Sequence, residues 1–194
     1  MQQDVGSPDA GTGVVDAANF HQSNQWHEVE YLYLHVMKDH DYCVACNLTG
    51  KDLVQVHHIV PVEFCYAIGR EDLTVNLLNM ISLCQGIGTN DHHEALGHLG
   101  NFHWYNPDVK KDVLGPWKAL TKAQIEEILP DWTNRRTAAV PLQMSDLQKS
   151  ELDAFILESF GPKPPGTLDD WVVQLRQKVH AGGRSTGTAS TGQG

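Results

Sequence analysis

An α+β fold is predicted for this chain, and three observations predict it. Apolar residues recur at helical spacing near the start, two short Val- and Ile-containing stretches of strand character lie in the middle, and helix-start signals recur towards the end. The 194 residues (21.5 kDa) suffice for one domain with a real core plus extensions.

Residues 1–22 are rich in Gly, Ala, Asp and Gln, show little periodicity and read as a flexible leader. The first helix is expected in "NQWHEVEYLYLHVMKDH", where Trp26, Val29, Tyr33, Val36 and Met37 fall on one face. Next come a CxxC knuckle (Cys43, Cys46), a turn in "LTGKD", and a strand through "VQVHHIV". A second strand is expected over "NLLNMISLC". "TNDHHEALGH" reads as a short helix, with Thr89 or Asn90 able to cap it, Asp91 and Glu94 at its positive end and Gly97 to stop it. "NFHWYNPDV" is a loop closed by Pro107.

The domain carrying this chemistry spans residues 23–118, and a helical C-terminal extension follows over 119–180. Thr121 with Gln124, and Ser145 with Gln148, have capping-box spacing. Ile125, Ile128 and Leu129 form one expected stripe, and Leu152, Phe155 and Ile156 another. "GPKPPG" reads as a stiff linker, after which Thr167 caps a helix holding Trp171, Val172 and Leu175. These helices pack, or dock a protein partner. Residues 181–194, a Gly/Ser/Thr tail, are expected to be disordered.

No apolar run approaches the ~20 residues of a membrane span, and no secretory signal is visible at the start, so an intracellular, cytoplasmic protein is expected. Four cysteines then suggest metal ligands or free thiols more than disulfides. The net charge of −10 argues mildly against a nucleic-acid binder, which usually presents a basic face.

Against that stands a cluster of histidines and cysteines. His57 and His58 are neighbours on a predicted strand, so their side chains leave on opposite faces and cannot play the same part. Cys43, Cys46 and Cys84 with a nearby histidine can complete a tetrahedral zinc site. Cys65 is a rival fourth ligand, since an all-cysteine set is chemically sound, although "VEFCYAI" also reads as a core segment in which a free thiol packs well. His21, His27, His35, His40 and His180 stand alone and read as solvent-facing or satisfied core residues.

In order, "CVAC", "VHHIVP", "NMISLC" and "DHHEALGHLGNFHWYNP" resemble the HNH nuclease family, specifically its zinc-knuckle subgroup, over about a third of the chain from Asp41 to Val109. The chain departs from the family pattern in Met80, in a longer stretch between Cys84 and His92, and in His92 standing where the second knuckle cysteine belongs. The resemblance implies a ββα-metal core, a β-hairpin and helix folded around a divalent ion, with a structural zinc held by Cys43, Cys46, Cys84 and His92. It implies Mg²⁺ or another divalent ion held by His57 and His93; His98 is a further candidate from its position, provided Gly97 breaks the helix between it and His93. His58 would be the general base and Asn79 would orient it or shape its loop. The implied activity is hydrolysis of DNA phosphodiester bonds. The other reading of the same residues is a zinc-stabilised binding module without catalysis.

Overall fold

The computed structural model describes residues 15–37, 41–50, 52–102, 104–115, 117–128, 137–138 and 146–182. Helix α1 (Asn24–Tyr31) starts where Ser23 Oγ accepts a hydrogen bond from the Trp26 N–H at 3.1 Å. It then widens into a π-helical turn over Leu32–Val36. Trp26, Val29 and Tyr33 are buried, and Val36 and Met37 pack against the same cluster, so the expected stripe is the one that faces the core.

Strand β1 (Val54–His58) pairs antiparallel with β2 (Met80–Cys84) in a two-stranded sheet, placing His57 opposite Ile81 and His58 opposite Met80. The strands are joined by helix α2 (Val62–Ala67), which follows Pro61, and two 3₁₀ turns. The second strand begins later than its sequence suggests. Asn76 accepts a hydrogen bond from the Leu78 N–H, and the chain coils over Leu77–Asn79 before extending at Met80. β2 is buried along its whole length, which is why it reads as an apolar run without alternation.

After β2 comes a single π-helical turn, His93–Gly97. Its expected cap is not formed: Thr89 Oγ1 instead accepts from the Asp91 N–H, and Asp91 is left-handed at φ 53°. A two-residue strand β3 (Trp104–Tyr105), helices α3 (Val109–Asp112) and α4 (Lys122–Ile128), and a strand β4 (Thr137–Ala138) paired with β3 follow. Helices α5 (Asp146–Phe160) and α6 (Leu168–Gly182) close the chain. The architecture is mixed helix with a small antiparallel sheet, an α+β arrangement.

The capping boxes at Thr121–Gln124 and Thr167–Asp170 form reciprocally, each threonine hydroxyl meeting the later backbone N–H while the later side chain meets the threonine N–H. Ser145, Leu129, Arg135 and Arg136 lie outside the described residues.

Three hydrophobic clusters form the core. The first joins α1, the sheet and Trp171, Val172 and Leu175 of α6. The second surrounds Cys43, Cys84 and Leu96 and includes Ile125. The third packs Leu152 and Ile156 of α5 on Phe64, Cys65 and Leu73. The C-terminal helices therefore spend their apolar stripes inside the fold, each buried large side chain worth ~1.5–3 kcal/mol. Two expectations change as a result. The leader is not wholly loose, because Phe20 is fully buried against Trp26, His58 and Tyr66. The "GPKPPG" linker is fastened: Arg70 donates to the Gly161 carbonyl, Lys163 pairs with Glu71, and the Trp171 indole N–H donates to the Pro165 carbonyl. Among the described residues no helix is long and apolar enough to cross a membrane.

Candidate metal centres

The knuckle brings four side chains together. Cys43 and Cys46 sit on a tight turn in which the Cys43 N–H donates to the Leu48 carbonyl and Asn47 takes a left-handed φ of 60°. Cys84 ends β2, and His92 opens the turn that follows. Cys46 Sγ and Cys84 Sγ are 3.9 Å apart, and His92 Nδ1 lies 3.4 Å from Cys84 Sγ and 3.6 Å from Cys43 Sγ. A tetrahedral ion bound at ~2.3 Å by sulfur and ~2.0 Å by nitrogen sets ligand separations of about 3.8 and 3.5 Å. The cluster is therefore compatible with a zinc site. Its histidine is oriented from behind: Nε2 donates to the Leu120 carbonyl at 2.7 Å, leaving the Nδ1 lone pair to face the thiols. The Cys43 thiol and His92 pull the Cys84 thiol well down from its usual value, while burial pushes Cys46 up. Cys65 takes no part. Its thiol donates to the Val60 carbonyl, and burial pushes its pKa up.

A second group, His57, His93 and His98, has ligand atoms within 4.8 Å of one another. Ring centroids are 5.1 Å apart for His57–His93, 4.8 Å for His57–His98 and 5.1 Å for His93–His98. His57 comes from β1, the other two from the π-helical turn. On an α-helix residues five apart point ~140° from each other. The i to i+5 winding of a π-turn instead places the fifth residue over the first, which brings His98 to the same face as His93. Gly97 makes room for this. A Cβ on Gly97 would lie 2.9 Å from His57 Cε1, closer than packing permits. Gln85, at the end of the sheet, accepts from His93 Nδ1 and leaves Nε2 as the free lone pair. His57 Nε2 is buried with no hydrogen-bond partner. An orphaned, electron-pair-bearing nitrogen in such a cluster is what a metal ligand looks like without its ion. Burial pushes the His57 pKa well down and that of His93 to about 3, so both are neutral and able to ligate at pH 7.

The two groups differ in kind. Three sulfurs and one nitrogen make a closed structural set, whereas three imidazoles leave a position open, as catalytic sites do. With no carboxylate among the three, this donor set suits zinc, nickel, copper or iron better than Mg²⁺.

His58 leaves β1 on the other side. It packs against Trp26, with ring centroids at 4.9 Å, and against Phe20 and His21. Its Nε2 lies 3.0 Å from the Thr74 carbonyl, which only accepts, so Nε2 carries the proton and Nδ1 keeps its lone pair. Burial lowers its pKa to about 4, leaving it neutral at pH 7. His57 and His58 nevertheless line one cavity of about 510 Å³ together with His93 and His98. Asn79 is fully buried, and its side chain accepts from the Val60 N–H and donates to the Val60 and Leu73 carbonyls. It thus fixes the chain immediately before Thr74, whose carbonyl holds His58. Its hydrogen bonds go to this backbone and not to the histidine cluster.

Asn106 pins the ligand-bearing turn from outside. Its amide donates to the Leu96 carbonyl and to Asp112, and its backbone N–H donates to the Gly97 carbonyl. This fits the expectation that "YNP" fixes the loop. His103 and His40 lie outside the described residues. His21, His27, His35 and His180 are exposed, as expected of isolated histidines, and His21 also lines the cavity beside His58. Sequence reasoning passed over Gln85 and the Leu120 carbonyl. Each acts through a contact across the fold that no local spacing announces.

No protein-family model, no curated protein and no solved structure matches the chain.

Proposed function

We propose that the chain is a metal-dependent endonuclease that hydrolyses DNA phosphodiester bonds on the ββα-metal plan its motifs resemble. One observation carries this reading: the open three-histidine group and the neutral, tautomer-fixed His58 face the same cavity. His57, His93 and His98 would hold a divalent ion, which when bound offsets charge on a phosphate oxygen and on the leaving oxygen. His58 supports the other half of the chemistry. Its Nδ1 lone pair accepts a proton from the attacking water while Thr74 holds the opposite edge of the ring. Asn79 holds the Val60 and Leu73 backbone against which this arrangement rests. Water attack at phosphorus breaks the bond to the 3′-oxygen, which takes up a proton from solvent, and leaves a 5′-phosphate and a 3′-hydroxyl, as the resemblance implies. The zinc group ties the end of β2 to the ligand-bearing turn, so it serves the site by position.

A second reading has one observation in its favour. Between Glu28 and Lys118 there are six Lys and Arg against twelve Asp and Glu, a poor balance for holding a polyanion. On that reading the fold is a zinc-stabilised binding module. Cleavage of supercoiled plasmid with Zn²⁺, Mn²⁺, Ni²⁺ or Mg²⁺, or with chelator, separates the two. Metal-dependent cutting that a folded His58→Ala variant loses supports the nuclease. A folded, zinc-loaded protein that cuts neither supercoiled plasmid nor single-stranded DNA with any of these ions supports the module.

A further inference from the structure

Among the described residues the cavity is poor in the cations a nuclease uses to grip phosphate. The described residues lining the cavity include no Lys or Arg, and they include Glu30 and Glu63. What the cavity has instead is aromatic surface. Trp26 lies against His58, and Phe102, 47% exposed, lies against His98 at 4.6 Å and His93 at 5.7 Å between ring centroids. Phe102 is brought there by a built reversal of the chain. Leu99, whose side chain is fully buried, takes a left-handed φ of 50°, and Gly100 follows at 82°. The Gly100 N–H returns to the Glu94 carbonyl and the Asn101 N–H to the His98 carbonyl. A bulky residue is rarely held in that backbone region unless its surroundings enforce it.

Double-stranded DNA offers a protein mainly its phosphates, and gripping them takes Lys and Arg. An unpaired strand also offers the faces of its bases, which stack on exposed aromatic rings without regard to sequence. We propose that the substrate is single-stranded or locally unpaired nucleic acid, bound by stacking a base beside the scissile phosphate on Phe102. This rests on the nuclease reading and adds its substrate class. Binding is then weakly dependent on salt, because few phosphate counterions are released.

The full chain, loaded with metal, is assayed on a labelled single-stranded oligonucleotide and on a hairpin duplex of the same composition. Anisotropy of the same single strand, in a His58→Ala background with and without the Phe102 change, gives affinity without turnover. The single strand is expected to be cleaved at least about tenfold more efficiently. Phe102→Ala is expected to weaken its binding and raise its KM by roughly 5- to 150-fold, with kcat less affected, and Phe102→Trp to restore both. Metal content of both variants, measured alongside, shows whether His93 and His98 still ligate. Equal cleavage of duplex and single strand, or Phe102→Ala binding like the parent with its metal retained, overturns the proposal while leaving the nuclease standing. Cleavage of neither substrate overturns the nuclease reading and this inference with it.

Discussion

At the residue scale, the adjacent histidines divide their labour because a strand divides them. His57 turns towards His93 and His98, and His58 turns towards Trp26 and the Thr74 carbonyl. His58→Ala is expected to lower cleavage by about 10²- to 10⁴-fold while leaving the fold and both metals in place, read by plasmid cleavage beside circular dichroism and metal content. Gly97→Ala is the sharper structural test, because its new methyl collides with the His57 ring. The three-histidine ion is expected to be lost and the cysteine-bound ion kept, so metal per chain falls from two to one. Asn79→Ala leaves the Val60 N–H unpaired in the interior and takes one of two donors from each of the Val60 and Leu73 carbonyls, which keep the Cys65 thiol and the Asn76 N–H. A loss of about 2 kcal/mol is expected, read from urea unfolding.

At the element scale, the turn of Cys43 and Cys46, the short sheet and the π-helical turn with its two flanking residues together place every candidate ligand. The helical stripes of α1 and α6, the strand holding His57 and His58, the capping box at Thr121 and the cap at Thr167 were legible because each signal is local. The zinc-type group was legible as a set, down to His92. What was not legible depended on contacts distant in sequence. Nothing local marks the turn after His92 as π-helical, yet that winding is what brings His98 to His93. Phe20 reads as leader but packs on His58, and α6 reads as an extension but shares the core of α1. Trp171→Ala, which opens that shared core, is expected to cost ~3–5 kcal/mol in urea unfolding. Because the first cluster includes Trp26, which stands against His58, this variant is also expected to slow cleavage.

At the scale of the whole molecule, two groups able to hold a metal and a histidine-rich interior are expected to make the fold sensitive to acid. His57, His58 and His93 are all pushed below the ordinary imidazole value of 6.5, His58 to about 4 and His93 to about 3, chiefly by burial. The unfolded chain therefore binds more protons than the folded one between about pH 6.5 and the folded values, and stability rises with pH across that window. The protein stripped of the three-histidine ion alone is expected to lose stability progressively as pH falls from about 6.5 towards 3, with no contribution from these three groups above it. Urea midpoints at pH 8 and pH 5 at low chelator, with the cysteine-bound ion retained, read this directly. Bound metal deepens the same slope, since protonated imidazole does not ligate.

The most direct single measurement is metal content by elemental analysis during a chelator titration, followed by circular dichroism. Two ions per chain are expected. One, held by His57, His93 and His98, leaves at low chelator with the fold intact; the other, held by Cys43, Cys46, Cys84 and His92, leaves only as the structure unfolds. A single ion per chain, or two ions lost together with the fold, would contradict the division into one open and one closed metal centre.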